Sequence, residues 1–238
     1  EVYMTRKEYA AAEPLLKSVT AMGYSLLPAY ADVFQLGNKN SRESVFEIQF
    51  MTGDQAQQSM FTYWFIPKAA NVELITGVVS NTLNYGGWNV PTANMINAYE
   101  PGDTRKEASI GIAEGVISSD GSFVIQASKS SEGYVQPAGK IAKPFVKKYL
   151  HTHSRERNTN DNWPVYRYSN VLLLLAECLN ENGNSGDALT YVNQVRRRAG
   201  ATLPLASATG KEALQGVIAN ERRVELAFEN HRWHDLVR

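Results

Sequence analysis

The strongest chemical pattern in the sequence is a line of acidic and basic residues near its carboxyl end. Its members recur mostly at spacings of three and four, and they are Glu221, Arg222, Glu225, Glu229, Arg232 and Asp235. This spacing places most of them on one side of a helix. A carboxylate-rich line could serve acid–base catalysis, but charges of alternating sign satisfy each other without a substrate. We therefore predict a structural ion-pair ladder in which Arg222 pairs with Glu225. Arg232 is expected to pair with Glu229 and Asp235.

Histidine pairs and the single cysteine are the remaining candidates for metal or nucleophilic chemistry. His231 and His234 lie three apart beside Asp235, a set that could contribute to a zinc site. No HExxH pattern supports that alternative, and His151-Thr152-His153 is more typical of a solvated surface segment. Cys178 lies in an apolar helical run, where cysteine is usually a packed small hydrophobe. Since nucleophile elbows and phosphate-binding glycine loops are absent, we predict no catalytic residue, metal or cofactor.

A second group of interest is aromatic and lies in the polar middle of the chain. Flat rings offer apolar faces that suit stacking on the C–H face of a sugar, and amides can donate to and accept from hydroxyls. The residues predicted to bind ligand are Tyr63, Trp64, Tyr85, Trp88 and Asn84. Trp64 and Tyr85 are the leading candidates. The alternative is that the rings are core, and it is favoured for Trp88 and Trp163.

Composition and charge limit the class of protein. The 238 residues carry 24 lysines and arginines and 24 aspartates and glutamates, and 43% of the residues are apolar. These values are typical of a globular domain with a real core, and the charge balance argues against nucleic-acid binding. No stretch reaches the roughly 20 apolar residues that cross a bilayer, and no signal peptide is evident. We expect the chain to be a fragment that lacks material at both ends.

The elements that must position these residues begin with a helix and a strand. Thr5-Arg6-Lys7-Glu8 has the pattern of a capping box, and the helix that follows is predicted to end near Gly23. Alternating apolar residues predict a strand over Ser44–Phe50. The aromatic run Met60–Ile66 is also predicted to be extended.

The middle of the chain is predicted to be rich in loops. Glycine, serine, asparagine and proline are frequent from Gly53 to Tyr149. Within this region we expect a short helix over Thr92–Tyr99 and a hairpin turn at Ser119-Asp120-Gly121. Asp103 and Arg105 are predicted to form an ion pair that fixes the scaffold.

The last third of the chain is predicted to form three helices. Pro164 suits a first helical turn, and the run Val171–Ala176 is apolar on nearly all sides, which indicates a buried helix. Ser185 can cap a second helix that Gly200 ends. Thr209-Gly210-Lys211-Glu212 reads as a capping box for a third helix, which is predicted to run to the end of the chain. The first two helices span close to the roughly 34 residues of a tetratricopeptide-like unit.

The predicted fold is mainly α, with tetratricopeptide-like helical pairs packed against an irregular, loop-rich part that has a few short strands. We expect a single domain over 1–238. Within it, 1–52 would supply a helix and strand of the scaffold, 53–160 the ligand side, and 161–238 the helical pairs.

Three segments resemble those of the SusD/RagB family in order, spacing and residue type. They are Asn162–Glu181, Ala188–Gly200 and Glu221–Arg238. Asn40–Phe50 and Trp88–Arg105 also fit, so the resemblance covers most of the chain. It departs from the family pattern at Cys178, where alanine is usual, and at Asn230, where glycine is usual.

This resemblance implies a Bacteroidota lipoprotein at the cell surface, held to the outer membrane by a lipid anchor outside this chain. Such proteins sit on a SusC-like TonB-dependent transporter, capture oligosaccharides or peptides, and are not enzymes. Two alternatives stay open. One is a helical-repeat scaffold that binds only proteins, and the other is a glycosidase with two carboxylates facing one pocket. The resemblance is concentrated in the scaffold, so it does not indicate which nutrient is bound.

Overall fold

A computed structural model describes residues 1–238. The α-helices are α1 (Val2–Thr5), α2 (Tyr9–Thr20), α3 (Phe61–Phe65), α4 (Glu73–Thr76), α5 (Ala93–Ile96), α6 (Thr104–Ser109), α7 (Tyr168–Glu181), α8 (Ser185–Ala199), α9 (Lys211–Glu225) and α10 (Arg232–Val237). The strands are β1 (Ser44–Ile48), β2 (Ile110–Ile117), β3 (Phe123–Ser130), β4 (Ile141–Val146) and β5 (Trp163–Arg167). Two short 3₁₀ helices cover Tyr30–Phe34 and Leu36–Asn38.

The largest core is built around α7, which packs against α2, α8 and α9. The predicted run Val171–Ala176 is buried along its whole length, because neighbouring helices cover every side of α7. A turn at Asn182–Asn184 joins α7 to α8, with Gly183 in the left-handed region at φ +90°. So short a connection makes the two helices neighbours in space. The helical pair is therefore present, whereas its likeness to a tetratricopeptide unit stays a prediction.

Several predicted helix boundaries are wrong. Thr5 ends α1, and α2 begins after Glu8 without a side-chain cap. The second predicted capping box also fails, since Gly210 precedes α9 and no side chain caps that helix. Pro164 lies in β5, where it pairs opposite Glu47, and α7 begins at Tyr168.

The third predicted helix does not run to the end of the chain. It stops at Glu225, and a short α10 follows from Arg232. Phe228 and Asn230 both adopt φ +66°, which a continuous right-handed helix excludes. Asparagine tolerates this conformation better than most residues, which explains how it replaces the family's usual glycine at position 230.

A three-stranded antiparallel sheet occupies the region that was predicted to be loops. Its strand order is β3-β2-β4, and the predicted turn at Ser119–Gly121 does connect β2 to β3. The sequence does not predict this sheet, because glycine is uncommon in strands and β2 contains two glycines. Here both positions need glycine, since a Cβ on Gly111 would lie 2.5 Å from the Phe145 ring. A Cβ on Gly115 would lie 2.1 Å from the Val124 carbonyl oxygen.

The predicted strand Ser44–Phe50 is present as β1, two residues shorter, and pairs antiparallel with β5. The aromatic run after it is not extended, because Phe61–Phe65 forms the helix α3. Aromatic residues favour strands on average, but packing decides here. The Phe61 ring lies 5.2 Å from the rings of Tyr149 and Trp163.

A second core lies between the sheet and the segment that carries α3 and α4. Its buried members are Tyr63, Ile66, Ala69, Val72, Ala113, Phe123, Ile125 and Phe145. This core fixes α3, which carries Trp64, and Tyr85 packs against the same core from a turn after α4. None of the helices is both long enough and apolar enough to cross a membrane.

Candidate functional site

Buried charges form an extended network beneath α9. We define this ion-pair network by five carboxylates and five cations, Glu43, Asp103, Glu221, Glu225, Glu229, Arg105, Lys148, Arg167, Arg196 and Arg198. None of these side chains is more than 7% exposed. Charges buried to this degree are tolerated in proteins only when they are paired and hydrogen-bonded.

Arg105 is the centre of one half of the network. Its guanidinium lies 2.7 Å from Asp103, as predicted, and 2.6 Å from Glu221 and 2.9 Å from Glu225. Arg196 holds the second oxygen of Glu221 at 2.9 Å. Residues far apart in sequence thus supply the countercharges of α9.

Arg167 is the centre of the other half. It lies 2.5 Å from Glu225, 2.7 Å from Glu229 and 3.1 Å from Glu43. Lys148 donates to Glu229 at 2.7 Å. Because β5 leads directly into α7, Arg167 is placed where the sheet-side elements meet the helical core.

The partners predicted for two arginines of the line are wrong. Arg222 pairs with Asp235 at 2.7 Å and donates to Asn170 at 2.9 Å, not to Glu225. Arg232 is exposed and forms no ion pair, either with Glu229 or with Asp235. The prediction assumed one continuous helix, but the break after Glu225 removes the spacing of three and four.

Two acids of the network, Glu225 and Glu229, are held in their ionised form. Burial opposes ionisation of Glu225, but Arg198, Arg167 and Arg105 outweigh it and hold the pKa of this carboxyl below its ordinary value. Burial likewise opposes ionisation of Glu229, and Arg167 and Lys148 lower its pKa overall. A carboxylate locked by buried cations has no proton to give and no free lone pair facing a substrate. The arrangement suits architecture and not acid–base chemistry.

Three rings and one guanidinium form a surface on the sheet side, where Trp88 and Arg157 are exposed and Trp64 and Tyr85 are half-buried. We define the aromatic surface by Trp64, Tyr85, Trp88 and Arg157. The rings of Trp64 and Trp88 lie 4.9 Å apart at 37°, and those of Trp64 and Tyr85 lie 5.9 Å apart at 65°. Trp88 is 61% exposed, so the structure contradicts the expectation that this residue is core.

Local backbone geometry brings these rings together. On α3, Tyr63 is buried in the core, whereas Trp64 is half-buried. The amide of Gly87 donates to the Ile66 carbonyl at 2.7 Å, and that of Trp88 to the Trp64 carbonyl at 2.8 Å. Gly86 has φ +87°, and a Cβ there would lie 2.7 Å from the Ile66 oxygen, so only glycine permits this close approach.

Two residues from a distant segment complete the surface. The Arg157 guanidinium lies 5.9 Å from the centre of the Trp64 ring and 5.4 Å from that of Tyr85. The Tyr85 hydroxyl donates to Glu156. Burial and, after it, the bond to Glu156 raise the pKa of Tyr85, which therefore remains a protonated and oriented ring.

The predicted ligand residues fall into two groups. Trp64, Tyr85 and Trp88 come together, and Asn84 is exposed beside them without a side-chain hydrogen bond within the chain. Tyr63 does not belong with them, because it is 1% exposed and its hydroxyl is bonded to His153 at 2.8 Å. Arg157 and Glu156 were not predicted, since they lie about 70 positions along the chain from Tyr85 and no local pattern links them.

The histidine pairs do not assemble metal ligands. His231 is buried beside the Tyr166 ring, whereas His234 is exposed. His151 is bonded to Asp161, and His153 to Tyr63. No group of three or more histidine, cysteine, aspartate or glutamate side chains is arranged to hold a metal ion.

Comparison with known proteins identifies the family. The SusD family model matches residues 42–238. SusD-like protein P2 of Formosa agariphila is 28% identical and covers 100% of this chain, and a SusD-like protein of Bacteroides ovatus is 25% identical over 90% of it. The chain spans 48% and 37% of these two relatives, which is half of their length or less.

Solved structures have the same fold. The chain is similar to surface glycan-binding protein A of Bacteroides thetaiotaomicron, solved with laminarihexaose, at TM-score 0.70 and 22% identity, covering 99% of this chain and 52% of that one. NanU of B. fragilis is similar at TM-score 0.68 and 25% identity, with 97% and 50% covered. The family match over most of the sequence and the shared fold agree, and the chain belongs to the SusD family.

Proposed function

We propose that the protein containing this chain binds an oligosaccharide at the bacterial cell surface through the aromatic surface. The observation that carries this proposal is the exposure of Trp88 over Trp64, with Tyr85 and Arg157 at their edge. Covering a large, water-exposed aromatic face with an apolar partner is favourable, because it removes apolar surface from water. The C–H face of a sugar ring is such a partner, and Asn84 and Arg157 supply hydrogen bonds for its hydroxyls.

The relatives support the choice of ligand. Surface glycan-binding protein A was solved with a glycan, and its fold matches this chain at TM-score 0.70. The family resemblance also includes peptide as a possible ligand, so peptides belong in the test. The paired acids of the ion-pair network support binding over catalysis.

The setting that we propose follows the family. The protein would be a lipoprotein of the outer membrane, anchored by a lipid outside this chain, and would deliver its ligand to a SusC-like TonB-dependent transporter. Co-purification of the full-length protein with such a transporter tests this part. Absence of the transporter from the purified complex would contradict delivery and leave glycan binding untouched.

Isothermal titration of the full-length protein against panels of glycans and peptides tests binding. The key variant is Trp88→Ala, which should weaken binding about tenfold if it removes roughly 1.4 kcal/mol of stacking. Trp233→Ala is a matched control, because Trp233 is a similarly exposed tryptophan, at 69%, on α10 and outside the aromatic surface. It should bind glycan like the wild type.

Three results would overturn the proposal. The first is the absence of measurable binding of any glycan to the wild type. The second is equal affinity of the wild type and Trp88→Ala for a glycan. The third is turnover of a glycan by the purified protein, which would support a glycosidase instead.

A further inference from the structure

A groove of about 390 Å³ is lined by Asn89, the residue that follows Trp88. It lies between the segment that carries α5 and the end of α9, where the chain breaks before α10. We call it the basic groove and define it by Val90, Asn94, Met95, Arg223, Phe228 and Arg232. Sites for small ligands commonly enclose about 300–1,000 Å³, so its size suits one sugar ring.

The floor of the basic groove is apolar and fixed. Ala227 belongs to a buried core cluster, and Met95 and Phe228 pack against that cluster. Phe228 adopts φ +66°, a conformation that is costly for a bulky side chain and persists only where the surrounding structure imposes it. Its carbonyl accepts from the Tyr149 hydroxyl at 3.4 Å. The floor is therefore held in place by the core.

The charged and amide side chains on the wall offer hydrogen-bond donors. Arg223 donates through one Nη to the side-chain oxygen of Asn94, and its Nε and other Nη have no partner in the protein. Since Asn94 uses its oxygen for this bond, its amide nitrogen remains to donate. Arg232 is exposed, and none of its side-chain nitrogens is bonded within the chain. These donors are accessible, because Arg223 is half-buried and Asn94 is exposed.

No acid neutralises the arginines of the basic groove. The lining contains no aspartate or glutamate, and neither Arg223 nor Arg232 forms an ion pair. The neighbouring Arg222, in contrast, lies 2.7 Å from Asp235. Two uncompensated cations in one groove create a positive potential that attracts anions. The hydroxyls of a neutral sugar need acceptors as well as donors, whereas an oxyanion only accepts.

We infer that the basic groove binds an oxyanion, the carboxylate or sulfate group of an acidic sugar residue in the bound glycan. This inference rests on the proposed glycan-binding function and names the class of glycan as acidic. The groove adjoins the aromatic surface, because Asn89 follows Trp88 and consecutive Cα atoms lie about 3.8 Å apart. One oligosaccharide can therefore contact both.

Titration of the full-length protein by saturation-transfer NMR tests the inference. The probes are glucose, glucuronate and glucose 6-sulfate, together with the matched galactose series. Comparison of the two acidic forms distinguishes a carboxylate site from a sulfate site. We expect at least one acidic probe to bind about tenfold more tightly than its neutral counterpart, as hydrogen bonds to a charged group allow. Raising the salt concentration from about 0.01 M to about 1 M should remove most of this advantage, because salt screens exposed charges.

Three arginine variants locate the oxyanion. Arg223→Gln and Arg232→Gln should each weaken binding of the acidic probe about fivefold to tenfold and leave the neutral probe unchanged. Arg197→Gln is the matched control, because Arg197 is an exposed arginine of α8 with no bond within the chain, outside the groove. It should bind the acidic probe like the wild type. Trp88→Ala should weaken both probes and retain the advantage of the acidic one.

The outcomes separate this inference from the proposed function. Equal affinity for acidic and neutral probes overturns the acidic class and leaves glycan binding by the aromatic surface standing. An acidic advantage that survives both Arg223→Gln and Arg232→Gln places the oxyanion elsewhere and overturns the groove. Absence of all glycan binding overturns both the inference and the proposed function.

Two further results would assign the groove to another occupant. Tighter binding of tetraglutamate than of any acidic sugar would make it a site for acidic peptides. A lower melting temperature of Arg223→Gln with unchanged affinity would make it an interface covered by another part of the polypeptide. Either result overturns the inference. If Arg223→Gln does not fold, Arg232→Gln decides alone, since Arg232 is exposed and unpaired.

Discussion

The ion-pair network and the aromatic surface differ in how far their functional side chains are buried and paired. In the network, every carboxylate is buried and contacts at least one cation. On the aromatic surface, Trp88 is 61% exposed. Buried charges that pair with one another stabilise the fold. A large aromatic side chain that stays exposed on a fixed backbone is available to contact a ligand.

The comparison also separates charge from function. The sequence displays its most regular pattern of acids and bases in α9, and the structure uses that pattern to join the sheet side to the helical core. The rings of the aromatic surface have no regular spacing along the chain, yet they are the residues that we propose to bind ligand. Regular charge in this chain therefore indicates architecture.

Arg167→Ala should give the largest effect on stability. It would leave Glu225, Glu229 and Glu43 short of a buried partner, and removing one member of a buried pair costs about 3–5 kcal/mol. Urea denaturation measures the loss. Arg232→Ala is the control, because this arginine is exposed and unpaired, and should change the free energy of unfolding by about 0.5 kcal/mol or less. Similar midpoints for both variants would contradict the assignment of the network as architecture.

Acid should weaken the network next. The pKa values of Glu225 and Glu229 lie below the ordinary value in the folded protein. As pH falls below roughly 4.3, unfolded chains take up protons first, so the free energy of unfolding should decrease progressively. Glu225→Gln, followed by urea denaturation at several pH values, should show a shallower decrease. An equal slope in wild type and variant would exclude Glu225 as a source.

Gly86→Ala tests the backbone that presents the rings. A Cβ at φ +87° and 2.7 Å from the Ile66 oxygen should destabilise the protein by about 1–3 kcal/mol and displace Trp88. Thermal unfolding measures the first effect and glycan titration the second. Gly216→Ala is a control of opposite sign, because Gly216 lies in α9 with open space around it and should stabilise by roughly 0.5–1 kcal/mol.

The smallest effect is expected within the aromatic surface itself. The rings of Trp64 and Trp88 are in contact, so their contributions to glycan affinity should be coupled. A double-mutant cycle with Trp64→Ala and Trp88→Ala should give a coupling energy of about 0.5–1.5 kcal/mol by titration. Strict additivity would mean that the two rings contact separate parts of the ligand.

The sequence by itself determined the parts of this protein that depend on local pattern. The run Val171–Ala176 of α7 had to be buried because it is apolar on nearly all sides, and alternation in β1 and the turn at Ser119–Gly121 were equally local. The order of motifs was sufficient to place the chain in its family. Arg105 and Asp103, two positions apart, were also within reach of such reasoning.

Only the tertiary structure decided which distant residues meet. The partners of Glu225 come from positions 105, 167 and 198, and Arg157 reaches Tyr85 across about 70 residues. The glycines of β2 argue against a strand, but the Phe145 ring packs closely over Gly111 in the sheet. The aromatic residues of α3 favour a strand, but packing against Tyr149 and Trp163 places them in a helix. In both elements packing outweighs intrinsic propensity. Ion pairs, ring contacts and close backbone contacts join residues that are far apart in the sequence, so the spacing of residues along the chain does not predict them.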